Sequence, residues 1–205
     1  MAENSLSVLD TIYVQALDGV IGSESVTELA QDYMKGSGTP NEKIDSLIRW
    51  QVAKCASTGF VTGLGGVLAL PVAIPADVGV TLYVQLRMAA AIAYMRGYDI
   101  RSDQVKSFVY VCLCGGAAAE VLRGVGIKIG TKIAENYIKK KISGEVLKKI
   151  NNAVIAKIFT KGGTKGVINL GKAVPVVGGI IGAIFDGVTT DAVGEAAKMV
   201  FSNTR

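Results

Sequence analysis

The sequence predicts an all-α protein: a single compact helical domain with a small-residue core and apolar helical hairpins broken by glycine and proline. Three observations predict it. No run alternates apolar and polar residues with a period of two over the length of a strand. Half of the 205 residues are apolar while only 6% are aromatic, so alanine, valine, isoleucine and glycine must fill the interior. Helix start signals recur along the chain. At this length one domain is the default, and the chain can bury a large core. Helices that approach closely through small residues are typical of membrane bundles. They also occur in soluble cores, the commoner case for a chain with 22 basic and 17 acidic residues.

Leu6, Leu9, Ile12, Val14 and Leu17 form a loose apolar pattern, which predicts a short amphipathic helix in the first 22 residues. Ser25-Val26-Thr27-Glu28 fits a capping box before a second short helix. Lys35 to Gly38 reads as a turn. Thr39-Pro40-Asn41-Glu42 combines a cap, a proline at the first position and a glutamate at the third. The helix it opens runs from Pro40 to about Ser57, with Ile44, Leu47, Ile48 and Val52 on one face.

Cys55 to Ala76 is 22 residues without a charge. A bilayer span needs ~20 apolar residues. Gly59, Gly63, Gly65, Gly66, Pro71 and Pro75 would break a continuous helix, and in lipid the freed backbone groups would need partners. A buried helix–turn–helix is therefore expected, with a membrane-inserting hairpin as the alternative. A long apolar helix starts at Pro75, a residue suited to the first helical position, and Gly97 can end it. Ser102-Asp103-Gln104 caps another helix through Phe108, Val111 and Leu113, which Gly115-Gly116 kinks or ends. A basic helix pair follows. Its first part spans about Ala117 to Lys141 and carries Gly124, Gly126 and Gly130; its second starts near Ser143 and carries Leu147, Ile150, Val154 and Ile158. Gly162 to Gly166 is a turn, and the tail gives a short helix, a break at Pro175, a glycine-rich turn and a last helix to Phe201.

The absence of histidine excludes Ser-His-Asp and Cys-His catalysis and histidine-ligated zinc. Cys55, Cys112 and Cys114 form no CxxC pair, and MAENSLSVLD lacks the apolar core of a signal peptide. Both features predict reduced, buried thiols in a cytoplasmic protein. Gly124 to Gly130 lacks the spacing and preceding strand of a dinucleotide fingerprint, and Gly162 to Gly166 lacks the glycine that precedes lysine in a phosphate loop. No cofactor, catalytic residue or metal ligand set is predicted.

Two constellations remain. Asp77, Thr81 and Gln85 recur four apart along one side of an apolar helix, with Arg87 beyond them. Asp186-x-x-x-Thr190 echoes Asp77-x-x-x-Thr81 after a similar glycine- and proline-containing entry. These residues predict a polar core network, or a ligand site, on two helices that pack together, with both carboxylates largely buried. Arg87 is a possible partner for Asp186. Two aspartates alone are a weak metal signal, since hard cations take six or more oxygens. The second constellation is electrostatic. Residues 1–50 hold eight acids and three bases; residues 121–172 hold twelve bases and two acids. Lys128, Lys132, Lys139, Lys140, Lys141, Lys148 and Lys149 therefore predict a surface for anionic lipid headgroups, which attract basic residues with ~1 kcal/mol each. Nucleic acid is not the expected partner, because Tyr137 is the only aromatic residue from Val111 to Ile158 and stacking platforms are missing.

The run LPVAIPADVG followed by QLRMAAAIAYMRGYD, together with the tail run AVPVVGGIIGAIFDGVTTDAVGEAAKMVF, resembles the EcsC family. The resemblance covers about Ile44 to Phe201. It divides the chain into an acidic helical segment 1–43, an EcsC-like domain 44–201 and a tail 202–205. The family takes its name from a bacterial protein encoded beside an ABC transporter. The resemblance therefore implies a non-catalytic accessory protein at the inner face of a membrane or on a transporter-type membrane partner. The alternatives are a membrane-inserting or pore-forming effector that uses Gly59 to Ala76 and Ala173 to Phe185 as hairpins, and a carboxylate-based metal-binding protein or hydrolase.

Overall fold

In the computed structural model the described residues are 2–57, 76–140, 142–159 and 179–202, with side chains described for 5–57, 78–131, 135–140, 142–158 and 189–202. Among them the protein is all-α, with no strand. The helices are α1 (Ala2–Asp18), α2 (Val26–Lys35), α3 (Pro40–Ala56), α4 (Ala76–Met95), α5 (Asp103–Cys112), α6 (Ala118–Gly124), α7 (Lys132–Lys139), α8 (Gly144–Phe159) and α9 (Gly179–Val200), with a 3-10 turn at Gly115–Ala117.

The caps act locally, as the sequence predicts. The Ser25 hydroxyl accepts the Glu28 amide at 3.2 Å, and the Glu28 carboxylate accepts the Ser25 amide at 2.8 Å. Thr39 and Glu42 repeat the pattern at 3.3 and 2.7 Å, with Pro40 opening α3. These bonds hold the exposed Glu28 and Glu42 carboxyls below the usual carboxylate range. Gly97 ends the long helix in the left-handed region at φ 82°, and the Tyr98 amide then reaches back to the Ala93 carbonyl at 3.1 Å.

The basic pair departs from the expected helix over Ala117 to Lys141. Gly126 and Gly130 adopt φ of 85° and 73°, which no α-helix contains, so the chain breaks between α6 and α7. At the other glycine pair, α5 and the α6 unit bend by 118°.

Helix α4 is the centre. It passes the length and hydropathy test for a membrane span over Val78–Met95, yet 78% of that window is buried inside the fold. α1, α2, α3, α5 and α9 all pack on it. A helix that is apolar nearly all round is stable in water only under such a coat. The core is one continuous cluster and draws Leu9, Ile12 and Tyr13 of α1 and Leu29 of α2 into it. Tyr13 and Tyr110 meet edge-on with centroids 5.8 Å apart, and their hydroxyls donate to the Ile100 carbonyl and the Asp10 carboxylate, each at 2.7 Å. Cys55, Cys112 and Cys114 are buried.

Three helices share a register. Asp45 of α3 pairs with Lys198 of α9 at 2.6 Å, and Ile48 abuts Gly194. Higher numbers on α3 thus meet lower numbers on α9, and the two are antiparallel. Arg96, just past the C-terminus of α4, donates to Asn41 near the N-terminus of α3, which makes that pair antiparallel too. Gln85 of α4 reaches Thr190 of α9, and Tyr98 packs on Phe201 with centroids 5.4 Å apart, so α4 and α9 run parallel. The C-terminal end of α3 and the N-terminal ends of α4 and α9 therefore lie at the same end of this unit.

Candidate functional site

The sequence-predicted polar residues divide between two sides of α4. Thr81 and Gln85 are buried one turn apart on the same side of the helix, and Gln85 faces α9. The Gln85 amide nitrogen donates to the hydroxyls of Thr189 at 3.4 Å and Thr190 at 3.3 Å. Thr190 is completely buried, and among the described residues the Gln85 carbonyl oxygen has no hydrogen-bond partner. Gln51 of α3 belongs to the same level. The Asn41–Arg96 contact carries α3 along so that position 52 stands opposite Gln85, and the Ile48–Gly194 contact sets position 52 opposite Thr190, one residue from Gln51. Gln51 is fully buried, and among the described residues neither polar atom of its amide has a partner.

Gln51 was not among the residues singled out from the sequence, which assigned Val52 to the apolar face. The buried stripe is Ile44, Leu47, Ile48, Gln51 and Cys55, while Val52 is only half-buried. The signal was present, since residue 51 continues the three-and-four spacing of that stripe.

Arg87, two residues beyond Gln85, points to another side of the helix. Its guanidinium donates to the Glu24 carbonyl at 2.6 Å and pairs with the Glu24 carboxylate at 3.3 Å. It clamps the turn between α1 and α2 onto α4, helped by Ser23 and Tyr83, whose hydroxyls lie 3.3 Å apart. Lys54 shares this neighbourhood: burial, and then Arg87, push its ammonium below the usual lysine range.

Asp77 and Asp186 lie on α4 and α9, which pack together, but their side chains fall outside the described residues. Along the parallel pair, Asp77 precedes Gln85 by eight residues and Asp186 precedes Thr190 by four. The two Asp-x-x-x-Thr motifs are thus offset by one turn rather than level, so Thr81 stands level with Asp186. Among the described residues no group of three histidine, cysteine, aspartate or glutamate side chains is placed to hold a metal ion.

The lysines form a different surface. Lys128, Lys139, Lys140, Lys148 and Lys149 are exposed, while the Lys132 side chain and Lys141 lie outside the described residues. Lys149 pairs with Glu145 at 3.1 Å, and Lys139 pairs with Glu135. Such i,i+4 pairs contribute ~0.3–0.5 kcal/mol and leave the local field positive. Lys139 also stands 5.7 Å above the Tyr98 ring. Because Tyr98 packs on Phe201 beyond the C-terminus of α4, this basic surface reaches the opposite end of the three-helix unit from the ends of α3 and the starts of α4 and α9.

Searches among curated proteins and among solved structures return no match. A family model, described as the EcsC protein family, matches residues 24–203. The match begins before the Ile44 boundary set by the residue resemblance and takes in α2 and the capping box of α3. It spans most of the chain, including α4, α9 and the seam between them, and the chain belongs to the EcsC protein family.

Proposed function

We propose that this protein is a non-catalytic accessory protein of the cytoplasmic face of a membrane, and that it meets the bilayer or a membrane-protein partner through one end of the α3–α4–α9 unit. One observation carries the proposal. α3 ends at Ala56, α4 begins at Ala76 and α9 begins at Gly179, all at that one end. The sequence joined there holds no charge over 58–75 and none over 173–178. Two apolar, glycine- and proline-bearing runs thus attach to the same end of a fold whose central helix is otherwise coated. The transporter association behind the family name supports a membrane partner. The exposed lysines supply a second, electrostatic contact at the far end of the unit, suited to anionic headgroups or an acidic membrane partner.

Cosedimentation of the purified chain with vesicles of phosphatidylcholine, with and without phosphatidylglycerol, tests this. The chain is expected to sediment with the anionic vesicles. Salt should weaken binding, because exposed charges are screened beyond about 8 Å at physiological ionic strength. Reversal of Lys139, Lys140 and Lys141 to glutamate should reduce it further. Failure to sediment with either composition would refute the membrane reading. Release of trapped dye at neutral pH would replace it with the pore-forming alternative.

A further inference from the structure

We infer that Trp50, with the α3 face around it, is an interfacial anchor that seats in the headgroup layer of an anionic phospholipid bilayer. Trp50 is the single tryptophan of the sequence and is 59% exposed, whereas Tyr13, Tyr83, Phe108, Tyr110 and Phe201 are buried. It stands off the buried stripe of Ile44, Leu47, Ile48, Gln51 and Cys55, on the outer side of the helix. From Ser46 to Ser57 the sequence holds Arg49 and Lys54 and no acid, and Arg49 is exposed.

An exposed indole beside a cation has the chemistry of a membrane–water interface. The ring body is apolar, its N–H donates to ester or phosphate oxygens, and the guanidinium meets the phosphate charge. Trp50 precedes Ser57 by seven residues, about 10 Å of helix. It thus lies close to the end of α3 that continues into the uncharged segment 58–75. That continuity and the basic flank favour a lipid surface over a second protein.

The inference rests on the membrane reading above, and the two are tested separately. Tryptophan emission of the full chain is followed while vesicles of phosphatidylcholine and phosphatidylglycerol are added, with sedimentation of the same samples. The emission should shift to the blue, and phosphatidylcholine brominated on its chains should quench it. Trp50→Ala should weaken vesicle binding about tenfold, from the share of the ring still open to cover, and Trp50→Phe should retain most of it. Sedimentation with unchanged emission overturns the anchor while leaving the membrane reading intact. No sedimentation overturns both. A blue shift produced by protein concentration alone, without lipid, assigns the face to a second copy and overturns the anchor.

Discussion

Gly194→Ala is expected to destabilise the protein, because α3 and α9 meet where this residue has no side chain. A Cβ built at Gly194 would lie 2.8 Å from both Cγ1 and Cγ2 of Ile48 and 3.0 Å from its Cδ1. Both γ carbons branch from the same atom, so rotating χ1 exchanges one clash for another, and the helices must separate. Overpacking of this kind costs ~1–3 kcal/mol. Alanine returns up to ~1 kcal/mol through its better helix propensity. The net loss is about 1–2 kcal/mol, which for a chain of this size lowers the melting temperature by about 2–8 °C. Thermal unfolding followed by circular dichroism measures it. Gly124→Ala is the control, since a Cβ there meets nothing within 4 Å and should leave the melting temperature unchanged or raised. Adding Ile48→Ala to Gly194→Ala should cost less than the two single losses combined, by about 1 kcal/mol of coupling. A Gly194→Ala protein at least as stable as the parent, or strict additivity with Ile48→Ala, would refute the close approach of these helices.

Two further perturbations concern charge and pH. Glu24→Gln, which removes the carboxylate partner of the buried Arg87 guanidinium, should cost ~1–2 kcal/mol in urea unfolding after discounting for the partial exposure of Glu24. Asp18→Asn, which breaks the exposed pair with Arg101, should stay within ~0.5 kcal/mol, and equal losses would contradict the assignment of Arg87 as the clamp. Burial raises the Cys112 thiol and pushes the Cys114 thiol up to about 12, so the native state keeps protons that the unfolded chain releases near pH ~8.5. That stability is fully present at neutral pH and is lost as pH rises toward 12, by up to ~1.4 kcal/mol per unit for each thiol. Cys114→Ala should flatten the alkaline slope; an unchanged slope would rule the thiol out as its source.

What the sequence disclosed was set by chemistry close in the chain. The Ser25 and Thr39 boxes, the Gly97 stop and the Ser102 start are contacts within a few residues, and each occurs where its motif stands. The break between α6 and α7 depends on Gly126 and Gly130 choosing positive φ, and glycine composition permits that conformation without demanding it. The polar seam was half legible. Gln85 and Thr190 stood out as polar residues on apolar helices, and they meet. Gln51 escaped notice because α3 carries many polar residues, and only the register set by Ile48 against Gly194 brings it level with Gln85. Arg87 binds Glu24 from a turn that sequence spacing cannot place beside α4, and the Asp186 side chain lies outside the described residues.

Hydrogen–deuterium exchange of the full chain, with and without anionic vesicles, tests the orientation at the membrane most directly. Protection on vesicle addition is predicted over residues 46–57 and 76–80, where α3 ends and α4 begins, in addition to any over the lysine surface at 139–149. Protection confined to 96–103 and 139–149, or none at either end, would contradict contact through the end where the two uncharged runs join the fold.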